Sequence, residues 1–89
     1  MDRIHAIISG RVQGVWFRKY TRIKALELEL KGWVKNLSTG EVELIAEGKE
    51  NSLLKLSDWL NHGSPNSKVK DLKVEWLNST SEFLTFKCI

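Results

Sequence analysis

The apolar residues of this chain change their period along the sequence in an order that few folds accommodate. Ile4, Ala6 and Ile8 alternate with other positions over residues 3–9, the period of a strand with one buried face. After a break at residues 10–15 the spacing becomes helical, and Phe17, Thr21, Ala25 and Leu28 share one face of a helix over 17–28. Residues 26–30 alternate like a strand, but Ala, Leu, Glu and Lys dominate and no β-branched residue follows Ile23, so the helix is extended to Leu28. Strands at 32–37 and 41–47 flank the turn Ser38-Thr39-Gly40 and read as a hairpin. A second helix over 50–62 carries Leu53, Leu56 and Leu60 as its stripe, with Trp59 beside it and Gly63 and Pro65 to stop it. Leu72, Val74 and Trp76 fall on one face of a strand over 70–77. In the last strand, 83–89, Leu84, Phe86 and Cys88 share a face, which makes Cys88 a packed thiol. Ile23 and Leu26 lie opposite the first helix's stripe and are expected at the surface.

The order is β-α-β-β-α-β with an extra C-terminal strand. The economical packing puts both helices on one face of a mainly antiparallel sheet, the α+β ferredoxin-like sandwich. With 89 residues, one domain over 1–89 and one small core are expected. No apolar run approaches the roughly 20 residues that span a bilayer, and residues 1–5 do not open a signal peptide. The single cysteine cannot form an internal disulfide, which fits a reducing compartment, and a cytoplasmic protein is expected. His5 and His62 have no Cys or carboxylate at ligand spacing, so neither a metal nor another cofactor is expected. The net charge of +3 suits an anionic ligand and equally a solvated surface with a few surplus lysines.

The segment Gly10-Arg11-Val12-Gln13-Gly14-Val15-Trp16-Phe17-Arg18 joins the first strand to the first helix. The first turn of a helix has N–H groups without internal partners, and a glycine-containing loop before it can turn them on one anion. Arg18 starts the helix, where its guanidinium can fold back and pair two phosphate oxygens. A plain connection with two surface arginines is the other reading. The segment is neither a Walker loop nor a dinucleotide fingerprint. Asn36 precedes Ser38-Thr39-Gly40, a usual place for a turn-capping Asn. Trp16 lies in the loop, placed to line a pocket; Trp33 and Trp76 read as core or sheet-face packing.

Gly10 to Arg18 resembles the signature loop of the acylphosphatase family, and Gly32-Trp33-Val34-Lys35-Asn36-Leu37 with Gly40-Glu41-Val42-Glu43 resembles its second signature. Trp59-Leu60, Gly63-Ser64-Pro65 and Val69 resemble the family's second helix and its exit, so the likeness runs over nearly the whole chain. It implies hydrolysis of the carboxylic-phosphoric anhydride of an acyl phosphate. It implies Arg18 as the phosphate-binding arginine and Asn36 as the residue that positions water. The backbone amides of Val12, Gln13, Gly14, Val15 and Trp16 would form the phosphate cradle. Two positions depart from the family: Glu29 stands where it usually has Gly, and Ser64 where many members have Pro. A left-handed conformation is therefore expected at Glu29. The expected ligand is a small-molecule acyl phosphate with phosphate or sulfate as inhibitor, bound by a monomer with no nucleic-acid or membrane partner.

The alternatives are non-catalytic: a ferredoxin-like ligand- or RNA-binding module. RNA recognition of that kind needs aromatics on the central strands. The strand over 41–47 carries Glu41, Glu43 and Glu47 and no aromatic.

Overall fold

The computed structural model describes residues 1–89. Five strands and two helices follow the order β1 (Asp2–Arg11), α1 (Phe17–Glu27), β2 (Lys31–Asn36), β3 (Val42–Gly48), α2 (Glu50–Leu60), β4 (Lys68–Asn78) and β5 (Phe86–Cys88). The sheet order is β4-β1-β3-β2-β5, antiparallel except for the parallel pair β2 and β5. The α+β architecture is the expected one.

The strand period decides what the helices cover. Ile4, Ala6 and Ile8 of β1, Val34 of β2, and Val42, Leu44 and Ala46 of β3 are buried on one face. They meet Phe17 and Ala25 of α1 and Leu53, Leu56 and Leu60 of α2 in one core. Each fully buried aliphatic side chain of this kind contributes about 1.5–3 kcal/mol. Ile23 and Leu26, opposite the α1 stripe, are 46% and 39% exposed, as their phase predicts.

The chain's last third departs from its periodicity. β5 has only three residues, and residues 79–85 before it are irregular. Phe86 enters the core, Leu84 is almost fully exposed, and Cys88 is exposed instead of packed. The reason is position: β5 is a sheet edge, and a side chain there is covered only where α1 reaches it. Trp76 keeps its face opposite Ile4, but it sits on the other edge strand and is exposed rather than core. Trp33 is half-buried on the open face, with the Lys35 ammonium 5.0 Å from its ring centre.

Sheet direction gathers one end of the molecule. β1 and β2 both run antiparallel to β3, hence parallel to each other, and β5 runs parallel to β2. The C-terminal ends of β1, β2 and β5 therefore lie at the same end of the sheet. The 12–16 loop, Asn36 and residues 88–89 leave from those ends.

Candidate active site

At that end lies a pocket of about 300 Å³, bordered by Val12, Gly14, Trp16, Arg18, Lys19, Asn36 and Cys88, with Phe17 at its floor. It is built from the loop upward. A register shift at Ser9 and Gly10 bends β1 at its end, and a Cβ at Gly10 would overlap the Lys68 carbonyl oxygen of β4. The bend turns the chain off the end of the sheet. Gly14 (φ 74°) and Trp16 (φ 63°) then both take left-handed conformations. For Gly14 this is free; for Trp16, the residue that caps α1, it is a strained choice that only context can hold. The N–H groups of Val12, Gln13, Gly14, Val15 and Trp16 donate to no acceptor within the chain. α1 has no side-chain cap and no acidic residue in its first turn. Its N-terminal N–H groups and partial positive charge are uncompensated, which is the physical basis of an anion site.

Other contacts hold this loop. The Gln13 amide nitrogen donates to the carbonyl oxygens of Leu37 and Glu41, each at 2.8 Å, tying the loop to the β2–β3 turn that carries Asn36. The buried Ser64 hydroxyl donates to the Val15 carbonyl at 2.7 Å and links the loop to the exit of α2. Arg18 Nη1 donates to a main-chain oxygen of Ile89 at 2.8 Å, which orients the guanidinium from that side. Lys19 places its ammonium 5.3 Å from the centre of the Trp16 ring. No acidic side chain borders the pocket.

The predicted site residues thus fall into two groups. Arg18 and Asn36 reach one pocket with Val12, Gly14 and Trp16. Val15 is buried beneath the loop, and Gln13 sends its side chain to the hairpin, so neither of these two lines the pocket. Residue order in the sequence does not bring out Lys19 or Cys88, nor the tethers from Gln13 and Ser64, whose partners lie 24 to 49 positions away.

A family model described as Acylphosphatase matches residues 4–88. The chain belongs to the acylphosphatase family. It is 46% identical over 86 residues to an acylphosphatase of Methylococcus capsulatus, covering 97% of this chain and 94% of the relative. To one of Dehalococcoides mccartyi it is 43% identical, covering 98% and 97%. The crystal structure of acylphosphatase from Bacillus subtilis superposes with a TM-score of 0.97 at 40% identity, over 100% of this chain and 99% of that one. The two departures from the acylphosphatase pattern both have structural counterparts here. Glu29 has φ 60°, left-handed as expected, and the Ser64 hydroxyl donates to the Val15 carbonyl of the 10–18 loop. The carboxylates cited against RNA binding are largely engaged: Glu43 pairs with His5 at 2.7 Å and lies 3.6 Å from Lys35, and Glu47 is buried against Arg3. Their repulsion of a phosphate backbone is weaker than their count suggests; the lack of an aromatic on β3 still stands.

Proposed function

We propose that this acylphosphatase hydrolyses acyl phosphates with Arg18 and the amides of Val12, Gln13, Gly14, Val15 and Trp16 as the phosphate cradle and Asn36 as the water-positioning residue. One observation carries the reading: Val12, Gly14 and Trp16, whose N–H groups are unpaired, border the same pocket as Arg18 and Asn36.

The chemistry needs little more. The leaving carboxylate is the base of an acid of pKa about 4, so it departs without protonation and no general acid is required. Such phosphoryl transfer asks for positioning and charge stabilisation. The cradle and Arg18 supply fixed donors to the equatorial oxygens, an arrangement that needs no reorganisation as charge shifts. The Asn36 carbonyl oxygen accepts a hydrogen bond from water and turns a lone pair toward phosphorus. The water oxygen forms the new P–O bond as the bridging P–O bond breaks, and that electron pair leaves on the carboxylate. Both water protons stay on the phosphate, giving a carboxylate and dihydrogen phosphate.

Phosphate release from benzoyl phosphate tests the activity. Inorganic phosphate and sulfate are expected to inhibit competitively, because each fills the cradle; purely noncompetitive inhibition would place the anion elsewhere. A non-catalytic ligand-binding module would bind the anion and release no phosphate.

A further inference from the structure

The start of α1 is fixed from outside the helix, by the segment that leaves α2. Ser64 is 2% exposed, and its hydroxyl donates to the Val15 carbonyl at 2.7 Å. Ser64 is itself held in place. Its own carbonyl accepts from the Ser67 N–H at 3.0 Å and from the Ser67 hydroxyl at 2.7 Å. Gly63, at φ 69°, lies so close to α1 that a Cβ there would overlap the Phe17 ring. Phe17 in turn lies against Trp59 of α2, with ring centres 5.9 Å apart. The Ser64 hydroxyl therefore approaches the loop from a rigid frame.

The bond falls on one particular peptide. The carbonyl of Val15 and the N–H of Trp16 belong to the same planar unit, and in a trans peptide they point in opposite directions. Holding the carbonyl toward the exit of α2 aims the Trp16 N–H away from it. That N–H donates to no acceptor within the chain, and Trp16 borders the pocket. Trp16 also takes φ 63°, a left-handed value that strains a residue with a Cβ. A half-turn of the Val15–Trp16 peptide would bring Trp16 to the extended region that any residue adopts. The same half-turn would withdraw the N–H from the cradle and set a carbonyl oxygen toward the anion. It would bury an N–H in place of a carbonyl, so burial is nearly even between the two orientations and backbone strain favours the turned one. The Ser64 hydroxyl opposes the turn. It donates to no other acceptor, so losing the Val15 carbonyl would leave a buried hydroxyl hydrogen unpaired.

We infer that Ser64 is a positioning residue of the anion site: its hydroxyl holds the Val15–Trp16 peptide in the strained orientation that turns the Trp16 N–H on the substrate's phosphoryl group. The inference rests on the acyl phosphate reading above and extends it to a residue that does not line the pocket.

Calorimetry with inorganic phosphate and crystal structures grown without anion test it. In Ser64→Ala the Kd for phosphate is expected to rise about tenfold, the worth of one hydrogen bond to a charged partner. KM for benzoyl phosphate should rise with it while kcat stays near wild type, because the bound substrate draws the peptide back. The anion-free Ser64→Ala crystal should show Trp16 at negative φ. Ser64→Thr, which keeps the hydroxyl, should keep the wild-type Kd even where its extra methyl lowers stability. Glycine at position 16 removes the strain, so Ser64→Ala should weaken phosphate by only about threefold or less in a Trp16→Gly background. If Ser64→Ala alone does not fold, this last comparison carries the test, and an undiminished tenfold loss there overturns the inference. A wild-type Kd in Ser64→Ala with a lowered melting temperature would make Ser64 a packing residue, and a positive φ at Trp16 in its crystal would equally overturn the role. No phosphate release from benzoyl phosphate by the wild type, together with the tenfold loss of phosphate affinity in Ser64→Ala, would sink the catalytic reading and leave the role of Ser64 standing.

Discussion

Arg18 and Asn36 share a pocket, and the proposed mechanism assigns them different tasks, so their variants should fail differently. In the proposed mechanism Arg18 contacts phosphate in both ground and transition states, so Arg18→Ala is expected to damage binding and turnover together. Arg18→Lys should rescue little, since an ammonium lacks the planar fork and the Ile89 clamp suits one of its arms. Asn36→Ala should lower kcat severely and leave KM and phosphate affinity nearly intact, the pattern of a contact made on the way to the transition state. Asn36→Asp adds negative charge near a dianion and should bind phosphate more weakly than Asn36→Ala, most visibly at low salt. Near-full kcat in Asn36→Ala would reduce Asn36 to a turn residue. In the same mechanism Gln13 acts as a positioning residue, because two hydrogen bonds at 2.8 Å join its loop to the hairpin that carries Asn36. Gln13→Ala should cost about 1–3 kcal/mol of stability and raise KM. A variant with wild-type urea midpoint and KM would show that the loop holds its shape unaided.

At the scale of elements, the end of α1 shows how a local motif accepts an unfavourable residue. Leu30 N–H bonds the Ala25 carbonyl at 2.8 Å and Glu29 N–H bonds that of Leu26 at 3.0 Å, the pair of bonds that defines a Schellman ending. Leu30 and Ala25, the two residues that make the accompanying apolar contact, are buried. The motif requires a left-handed residue at position 29, and Glu29 supplies it at φ 60° with a Cβ that disfavours it. Glu29→Gly relieves about 1 kcal/mol of that strain and loses part of it to the freer unfolded chain. The net expectation is an unchanged or slightly raised melting temperature. A clear loss of stability would mean that the Glu29 side chain contributes something its exposed setting does not reveal.

For the molecule as a whole, the contact between the end of β3 and the segment before β5 is decisive, because β5 carries the C-terminal clamp on Arg18. Glu47 is 2% exposed and accepts from Arg3 Nε at 2.7 Å, the Thr80 N–H at 2.9 Å, and the Ser81 N–H and Ser79 hydroxyl at 3.1 Å each. Burial pushes its carboxyl up, but the Thr80 N–H, Arg3 and Ser79 together outweigh that and hold it below the usual carboxylate range. Hydrogen bonding to Glu47 first, then to Glu82, raises Arg3 above its ordinary value despite partial burial. A depressed carboxyl contributes stability that is complete above its unfolded pKa, about 4.3, and is lost as pH falls through its folded value. Arg3, raised in the folded state, contributes stability that is fully present below the ordinary arginine range, so its contribution is constant from neutral to acid pH. Glu47→Gln should therefore lose about 2–3 kcal/mol at pH 7, and the gap from wild type should narrow below about pH 4. Urea titrations at pH 7 and pH 3.5 measure both; a gap that stays constant would remove Glu47 from the acid response.

The elements were legible in the sequence because each follows from local rules. Apolar period separates strand from helix, Gly63 and Pro65 end α2, and a glycine-containing loop before a helix presents unpaired N–H groups wherever it occurs. The candidate phosphate loop was legible in the same way, whereas Asn36 by local rules reads as a turn residue and is singled out only by the resemblance of the second signature. What the tertiary structure decided was which distant segments meet. Strand order and direction, which periodicity does not encode, bring the 12–18 segment, Asn36 and Ile89 to one end of the sheet. The same order leaves β5 at an edge, so Cys88 borders a pocket although its alternation marks it as core. It also buries Glu47, which by composition is one more surface acid, because Arg3, Thr80 and Ser81 come from strands and turns more than thirty residues away to satisfy its charge. A side chain's period along its own strand determines which face it takes; only the neighbours that cover that face determine whether it is buried, exposed or part of a site.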